Sequence, residues 1–330
     1  MERKLFGTVI AGFIIIVATG SVNLAQANAL SIHEIQYIDD ANGVTPQNGN
    51  IVDCLGGIVT FKRSGGRPRL VLQDPNDPDG WGAIQVKGWS SDAFDSVAIG
   101  DWVSLTNVLV EDFQGTTFLQ YQSENNPSLT IISTGNPLPR PVVVTVDEIA
   151  APAEDINVWA VPDHNAERYE AMIIKVVEVS VATLGLGKAY DNYVLTSNAD
   201  PNLTCWASDY MNTDKEKGLI YHPYIEAGER FCGIIGILEQ YTGDSEGINY
   251  DYYQLLTRSS EDFVVDQVGD LDGDCDVDFV DFGILAGHWL ETGCEEPDWC
   301  GGADLARDSS EQEVNILDLL SFSEYWLGGK

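Results

Sequence analysis

Short runs of β-branched and aromatic residues, separated by glycine, proline and aspartate, fill residues 50–133. Such runs between turn residues are typical of β-strands. Turn chemistry stands at Gly65-Gly66 and in residues 74–78, and residues 91–99 are expected to form one or two helical turns. The pattern predicts five strands: Ile51 to Lys62, Arg69 to Gln73, Trp81 to Lys87, Trp102 to Glu111 and Thr116 to Tyr121.

The same pattern returns in residues 168–265. It predicts strands at Glu170 to Val181, Asn192 to Thr196, Thr204 to Ala207, Phe231 to Gln240 and Tyr252 to Thr257. One register supports a duplication, because Gly100, Glu111, Phe113 and Gly115 recur 128 residues later as Gly228, Glu239, Tyr241 and Gly243. Five strands with a small helix before the fourth follow the order of an OB-fold barrel. We therefore predict a mainly β protein with two OB-like β-barrels.

Beyond residue 266 the pattern changes to acidic loops followed by apolar residues at helical spacing. The first loop, DLDGDCDVDFVD, places Asp270, Asp272 and Asp274 at positions 1, 3 and 5. Asp276 stands at position 7 and Asp281 closes the loop at position 12. Calcium takes six to eight oxygen ligands, and carboxylates alternating along a tight turn supply them. The loop therefore predicts a Ca²⁺ site at the start of a helix.

A second copy follows 37 residues later, where Asp278, Asp281 and Trp289 recur as Asn315, Asp318 and Trp326. This copy is incomplete. Asp304, Asp308 and Asp318 remain as candidate ligands, whereas Ala306 stands at position 3. We expect weaker calcium binding here than in the first loop. An acidic disordered tail is the alternative, but the periodic apolar residues argue against it.

Duplicated loop-helix units of this kind resemble the type I dockerin domain, in which two F-hand calcium motifs form one small module. The resemblance covers about residues 267–330 and implies Ca²⁺ as the cofactor and a cohesin-like or other extracellular protein as the partner. The sequence departs from the family at two places. Cys275 replaces the usual glycine at position 6, and positions 10 and 11 are the apolar pairs Phe279-Val280 and Ile316-Leu317. These pairs would either contact a partner or pack within the module.

The N-terminus has the features of a secretory signal peptide. Arg3 and Lys4 precede an apolar run, and residues 27–29 offer a small-residue cleavage site, so we expect a secreted or cell-surface protein with no membrane span after cleavage. The phrase LVLQDPNDPDGWGAIQV also resembles OB-type domains of exported bacterial proteins. The expected divisions are 1–29 signal peptide, 30–135 first barrel, 136–167 linker and lead-in, 168–266 second barrel and 267–330 calcium module.

Export permits disulfides, and the chain has six cysteines. A bridge between Cys205 and Cys232 is the preferred guess, because it would join two neighbouring strands. Within the calcium module one pair could form and one thiol would be left over. Zinc is disfavoured because no CxxC spacing occurs.

Candidate chemistry in the barrels is sparse. No HExxH motif occurs, and Glu111 and Glu239 are attributed to the repeat rather than to catalysis, so no catalytic residue is assigned. Candidate ligand-binding residues are Lys62, Arg63, Arg67, Arg69 and Trp81, which would bind a polysaccharide or another anionic polymer. Nucleic acid is disfavoured by the net charge of −35. The sequence thus predicts a non-catalytic docking protein; a polysaccharide- or nucleic-acid-acting hydrolase or accessory subunit, and a purely structural envelope protein, are the alternatives.

Overall fold

The computed structural model describes most of the chain beyond residue 28. The described ranges are 29–38, 44–64, 67–90, 93–150, 165–184, 192–211, 225–245, 248–265, 267–273, 275–296, 298–307 and 312–326. The expected signal peptide therefore lies outside the described residues, except for its last position. In the described part, no helix is long and apolar enough to cross a membrane.

The first unit is a closed five-stranded barrel. Its elements are α1 (Ile32–Gln36), β1 (Ile51–Arg63), β2 (Arg69–Gln73), β3 (Ala83–Gly88), β4 (Trp102–Phe113), β5 (Thr116–Tyr121) and β6 (Ser128–Ser133). The strands pair in the order β1-β2-β3-β5-β4, and β4 returns to β1. The β3–β5 pairing is parallel and the other pairings are antiparallel. This closure is that of the OB fold.

Alternating apolar side chains fill this barrel. Val59, Leu72, Ile84 and Val103 are fully buried or nearly so, and Ile35 of α1 packs into the same cluster. Period-two alternation places such residues on one face of each strand. A bulge in β1 lets the long strand pair with both β2 and β4, and it depends on Gly56, whose φ is +78°.

The second unit repeats this topology. Its elements are β7 (Val142–Val144), α2 (Val146–Ile149), β8 (Ile173–Thr183), β9 (Tyr193–Ser197), β10 (Thr204–Ser208), β11 (Arg230–Ser245), β12 (Ile248–Leu256) and β13 (Phe263–Val264). The order β8-β9-β10-β12-β11 closes through β11–β8, and β10–β12 is parallel. The predicted mainly β architecture with two OB-like barrels is confirmed.

The 128-residue repeat has a matching geometry. Gly100 and Gly228 both adopt a φ of +88°. The N–H of Gly100 donates to the Val59 carbonyl at 2.9 Å, and that of Gly228 donates to the Val181 carbonyl at 2.7 Å. The two glycines therefore make the same turn into corresponding strands.

Three local features differ from the sequence-based expectations. Residues 93–96 form a turn rather than a helix. Helix α1 was not predicted; it is short and begins with a capping box between Ser31 and Glu34. The expected linker ends early, because Val142–Val144 already pairs with β8. The three valines of residues 142–144 form a strand that was not predicted, because the segment just before them is rich in proline.

The C-terminal unit contains α3 (Phe279–Gly287) and α4 (Ile316–Tyr325). The segment after α3 meets the segment before α4 through an isolated bridge between Thr292 and Glu313. Val277, Leu285, Val314 and Phe322 are buried between the two loop-helix units. Each unit alone would leave its apolar face in water, so the pairing supplies the small core that the duplication predicts.

Candidate metal centre

Asp281 is the buried centre of the first acidic loop. Its Oδ1 accepts hydrogen bonds from the N–H groups of Leu271 at 2.6 Å and Asp272 at 3.1 Å. Its Oδ2 accepts from the N–H of Asp278 at 2.8 Å, which is one half of a capping box. The first turn of α3 thus positions this carboxylate, and the helix N-terminus stabilises its charge.

Two groups of acidic side chains share Asp281. The first contains Asp270 and Asp272, and the second contains Asp276 and Asp278. Within each group the carboxylate oxygens lie within 4.8 Å of one another. Calcium binds oxygens at about 2.3–2.6 Å, so oxygens on one ion lie at most about 5 Å apart. The donor set, entirely hard oxygen, and its spacing both fit calcium. Asp274 lies outside the described residues.

Asp278 is a candidate ligand that the sequence-based assignment missed. It occupies position 9 of the loop, and its Oδ1 also accepts from the N–H of Val280 at 2.6 Å as the N-cap of α3. Counting loop positions would have found it, because position 9 often contributes a ligand.

The second loop repeats two of the three backbone hydrogen bonds that the closing carboxylate accepts in the first. Asp318 accepts from the N–H groups of Ala306 at 2.9 Å and Asn315 at 2.7 Å, and Asn315 caps α4. Burial raises the pKa of Asp304, and the neighbouring Asp318 raises it further. Asp308 lies outside the described residues. Among the described residues, three-carboxylate groups occur only around the first loop.

The disulfide assignment requires a correction. Cys232 pairs with Cys275, not with Cys205, and Cys294 pairs with Cys300. Cys205 on β10 is a buried free thiol, as is Cys54 on β1, and burial raises the pKa of each to about 12. The guess placed Cys205 and Cys232 on neighbouring strands, but β11 borders β8, β12 and β13 rather than β10. Within the module one pair does form, and the remaining cysteine is the one that reaches the barrel.

The apolar pairs at positions 10 and 11 lie largely in solvent. Phe279 and Ile316 are 74% and 58% exposed, and Val280 and Leu317 are exposed too. Phe279 makes one aromatic contact, with its ring edge-on to Trp326 at 4.9 Å between centroids. These side chains therefore form an apolar surface at the start of both helices instead of a buried cap.

Two of the candidate ligand-binding residues of the first barrel, Arg63 and Arg69, face the second barrel. Arg69 lies 3.1 Å from Glu239 and stacks on Tyr210, and Arg63 also lies over Tyr210 at 4.9 Å. Lys62 donates to the carbonyls of Asp95 and Val97. Trp81 is half-buried beside Tyr37, and its backbone N–H donates to the Arg168 carbonyl. Of the five proposed ligand-binding residues, Arg67 is the one whose side chain is exposed.

The two strand-end glutamates have structural partners. Glu239 accepts from Gln85 at 3.2 Å and Gln254 at 3.0 Å besides its contact with Arg69. Glu111 accepts from Gln120 within the first barrel. Burial, together with the charge of Arg69, lowers the pKa of Lys87 to about 8. Glu239 thus joins the two barrels through Arg69 and Gln85, whereas Glu111 is bonded within the first barrel.

Comparisons with known proteins give structural neighbours alone. No protein-family model matches the chain, and no curated protein matches it. An OB domain of the Methanosarcina mazei protein MM0293 is 17% identical over 27% of this chain and 77% of that one, with a TM-score of 0.21. Schizosaccharomyces pombe Pot1pC bound to ssDNA is 15% identical over 31% and 90%, with a TM-score of 0.22. A murine DNA-binding protein bound to double-stranded DNA is 9% identical over 63% and 95%, with a TM-score of 0.28.

Proposed function

We propose that this chain is an exported, non-catalytic docking protein, in which a dockerin-like C-terminal module binds calcium and contacts a partner protein. The observation that carries the proposal is the pair of acidic groups that share Asp281 at the N-terminus of α3. A closing carboxylate that accepts hydrogen bonds from backbone N–H groups recurs at Asp318 in the first turn of α4. Duplicated loop-helix units with closing carboxylates are the features through which the module resembles dockerins.

Calcium would be held by oxygen atoms of the two loops. The candidate ligands are Asp270, Asp272, Asp274, Asp276, Asp278 and Asp281 in the first loop, and Asp304, Asp308 and Asp318 in the second. Clustered carboxylates repel one another, and a divalent ion removes this repulsion. Because the core of the module is small, part of the calcium-binding free energy would serve as folding free energy.

The exposed apolar pairs favour a protein partner. Phe279, Val280, Ile316 and Leu317 lie at equivalent positions of the two units and remain largely accessible. Exposed apolar patches on soluble proteins are common at interaction sites. A cohesin-like or other extracellular protein with an apolar contact surface would bury them. Calcium would govern this contact by ordering the loops from which both helices begin.

The barrels act in this proposal as a structural base for the module. Arg63 and Arg69, two of the candidate contacts for an anionic polymer, are engaged by Tyr210 and Glu239 of the second barrel. A face that is filled by a neighbouring domain is poorly placed to bind a polysaccharide. The geometry therefore favours the docking module over the first barrel as the site of function.

Calcium titration of the full chain tests the proposal. We expect saturable binding by calorimetry, with a gain of helical circular dichroism, at or below the range of about 0.1 to 1 mM that is typical of extracellular sites. Asp281→Ala should remove the tighter site, whereas the exposed Glu296→Ala in the same module should bind as the wild type does. Absence of binding up to about 1 mM calcium would contradict the proposal.

A second experiment tests docking separately from calcium. Phe279→Ser with Ile316→Ser should keep calcium binding, because neither side chain supplies a ligand. The same variant should lose calcium-dependent binding to a panel of purified cohesin domains. If the wild type binds calcium but none of the panel, the partner is of another class.

A further inference from the structure

Position 6 of the first loop has a left-handed backbone without a glycine. Cys275 stands there with a φ of +72°. Glycine adopts this region freely, whereas a residue with a Cβ atom adopts it at a cost in free energy. Gly273, two residues earlier, also has a positive φ of +78°. The turn thus requires left-handed geometry at a position where the sequence offers cysteine.

The disulfide to Cys232 fixes the position of Cys275 from outside the loop. Cys232 lies on β11, which pairs with β8, β12 and β13 and is therefore one of the most firmly held strands. The N–H of Cys275 donates to Asp270 Oδ2 at 3.0 Å. The Sγ of Cys232 lies 3.4 Å from the same oxygen. A strand of the second barrel thereby reaches the carboxylate at position 1 of the loop.

We infer that the Cys232–Cys275 disulfide is a positioning element of the first calcium loop and takes the part that glycine plays at position 6. The inference rests on the proposed calcium function. In the oxidised chain the left-handed turn is formed before calcium arrives, so binding does not have to supply its cost. After reduction, calcium binding would have to supply the free energy of forming the left-handed turn, and the calcium affinity would fall. Cys294–Cys300 lies between the two loops and should have no such effect.

The experiment compares calcium affinity by calorimetry in full chains that carry Asp318→Ala, which isolates the first loop. Cys232→Ser with Cys275→Ser should bind about tenfold more weakly than the oxidised parent, because serine must adopt the left-handed region on binding. Cys232→Ser with Cys275→Gly should recover affinity to within about threefold, because glycine adopts that region freely. The control, Cys294→Ser with Cys300→Ser, should match the parent.

Four outcomes overturn or separate the claims. Serine variants that bind within about twofold of the parent would overturn the inference, since the assay resolves larger changes. Equal loss in the serine and glycine variants would also overturn it, because the disulfide would then not replace glycine. If the oxidised parent itself does not bind, the proposed calcium function fails and the inference fails with it. Should the serine variant unfold by circular dichroism, the control chain is titrated before and after reduction, and unchanged affinity would overturn the inference.

Discussion

The guanidinium of Arg69 lies 3.1 Å from the carboxylate of Glu239 and joins the two barrels across 170 residues of sequence. Both side chains are largely buried, with exposures of 13% and 9%. Gln85 and Gln254 complete the hydrogen bonding of the carboxylate. Arg69 on β2 and Gln85 on β3 of the first barrel thereby both contact Glu239 on β11, the residue of the second barrel that corresponds to Glu111.

Removing one partner of this ion pair should destabilise the protein. Arg69→Met would leave Glu239 buried without its cation, which should lower the free energy of unfolding by about 3 kcal/mol in urea denaturation. Arg69→Met with Glu239→Gln should recover part of the loss, because no uncompensated charge remains. The exposed Arg67→Met is the control and should change stability by less than about 1 kcal/mol. Equal effects of the two single arginine variants would contradict a special role for the pair.

The cysteine pattern can be checked by peptide mapping under non-reducing conditions. We expect Cys232–Cys275 and Cys294–Cys300 as the linked peptides. Cys54 and Cys205 should alkylate only in denaturant, because both are buried and burial raises their pKa to about 12. Recovery of a Cys205–Cys232 peptide would instead restore the pairing guessed from the sequence.

Asp112 should make stability depend on pH. Its pKa is raised to about 6, chiefly by burial and also by the charge of Glu111, against the lowering effect of the hydrogen bond from Gly115. The unfolded chain titrates near 4. Below about pH 4, Asp112 is protonated in both the folded and the unfolded state, and its contribution to stability is fully present. As the pH rises through about 6, the folded state must release a proton that it binds more tightly than the unfolded state does, so that contribution is lost.

Asp112→Asn mimics the protonated form and should remove this loss. At pH 7.5 the variant should be more stable than the wild type by on the order of 1 kcal/mol, after allowance for the partial exposure of the group. At pH 4 the two should agree. The exposed Asp95→Asn should show no such difference between the two pH values. Equal stability of wild type and Asp112→Asn at pH 7.5 would contradict the raised pKa.

Two glycines with the same backbone geometry should respond differently to alanine. Gly56 and Gly49 have φ values of +78° and +81°. A Cβ on Gly56 would lie 1.6 Å from the Val103 carbonyl oxygen, whereas a Cβ on Gly49 meets nothing within 4 Å. Gly56→Ala should therefore lower stability by at least about 3 kcal/mol, and Gly49→Ala by about 1 kcal/mol. Thermal unfolding measures both, and similar losses would show that the backbone conformation alone matters.

The sequence by itself determined the local pattern of the barrels and the two loop-helix units. Strands β2 and β5 begin and end at the predicted residues, because alternation and turn chemistry are local properties. The 128-residue and 37-residue repeats could also be recognised from the sequence, since each consists of matching residues at a constant spacing. Asp281 and Asp318 could be placed at the start of a helix because apolar residues at helical spacing follow the acidic loops.

Only the tertiary structure decided which distant groups meet. It pairs Cys275 with Cys232, covers Arg69 with Glu239 and Tyr210, and leaves Phe279 in solvent. None of these outcomes follows from spacing, because each depends on how the units pack against one another. Sequence pattern reports which face of a strand or helix is apolar, but it does not report which other face will cover it. For this chain, packing between the units covers part of the basic hairpin of the first barrel and links the C-terminal loop to a strand of the second barrel.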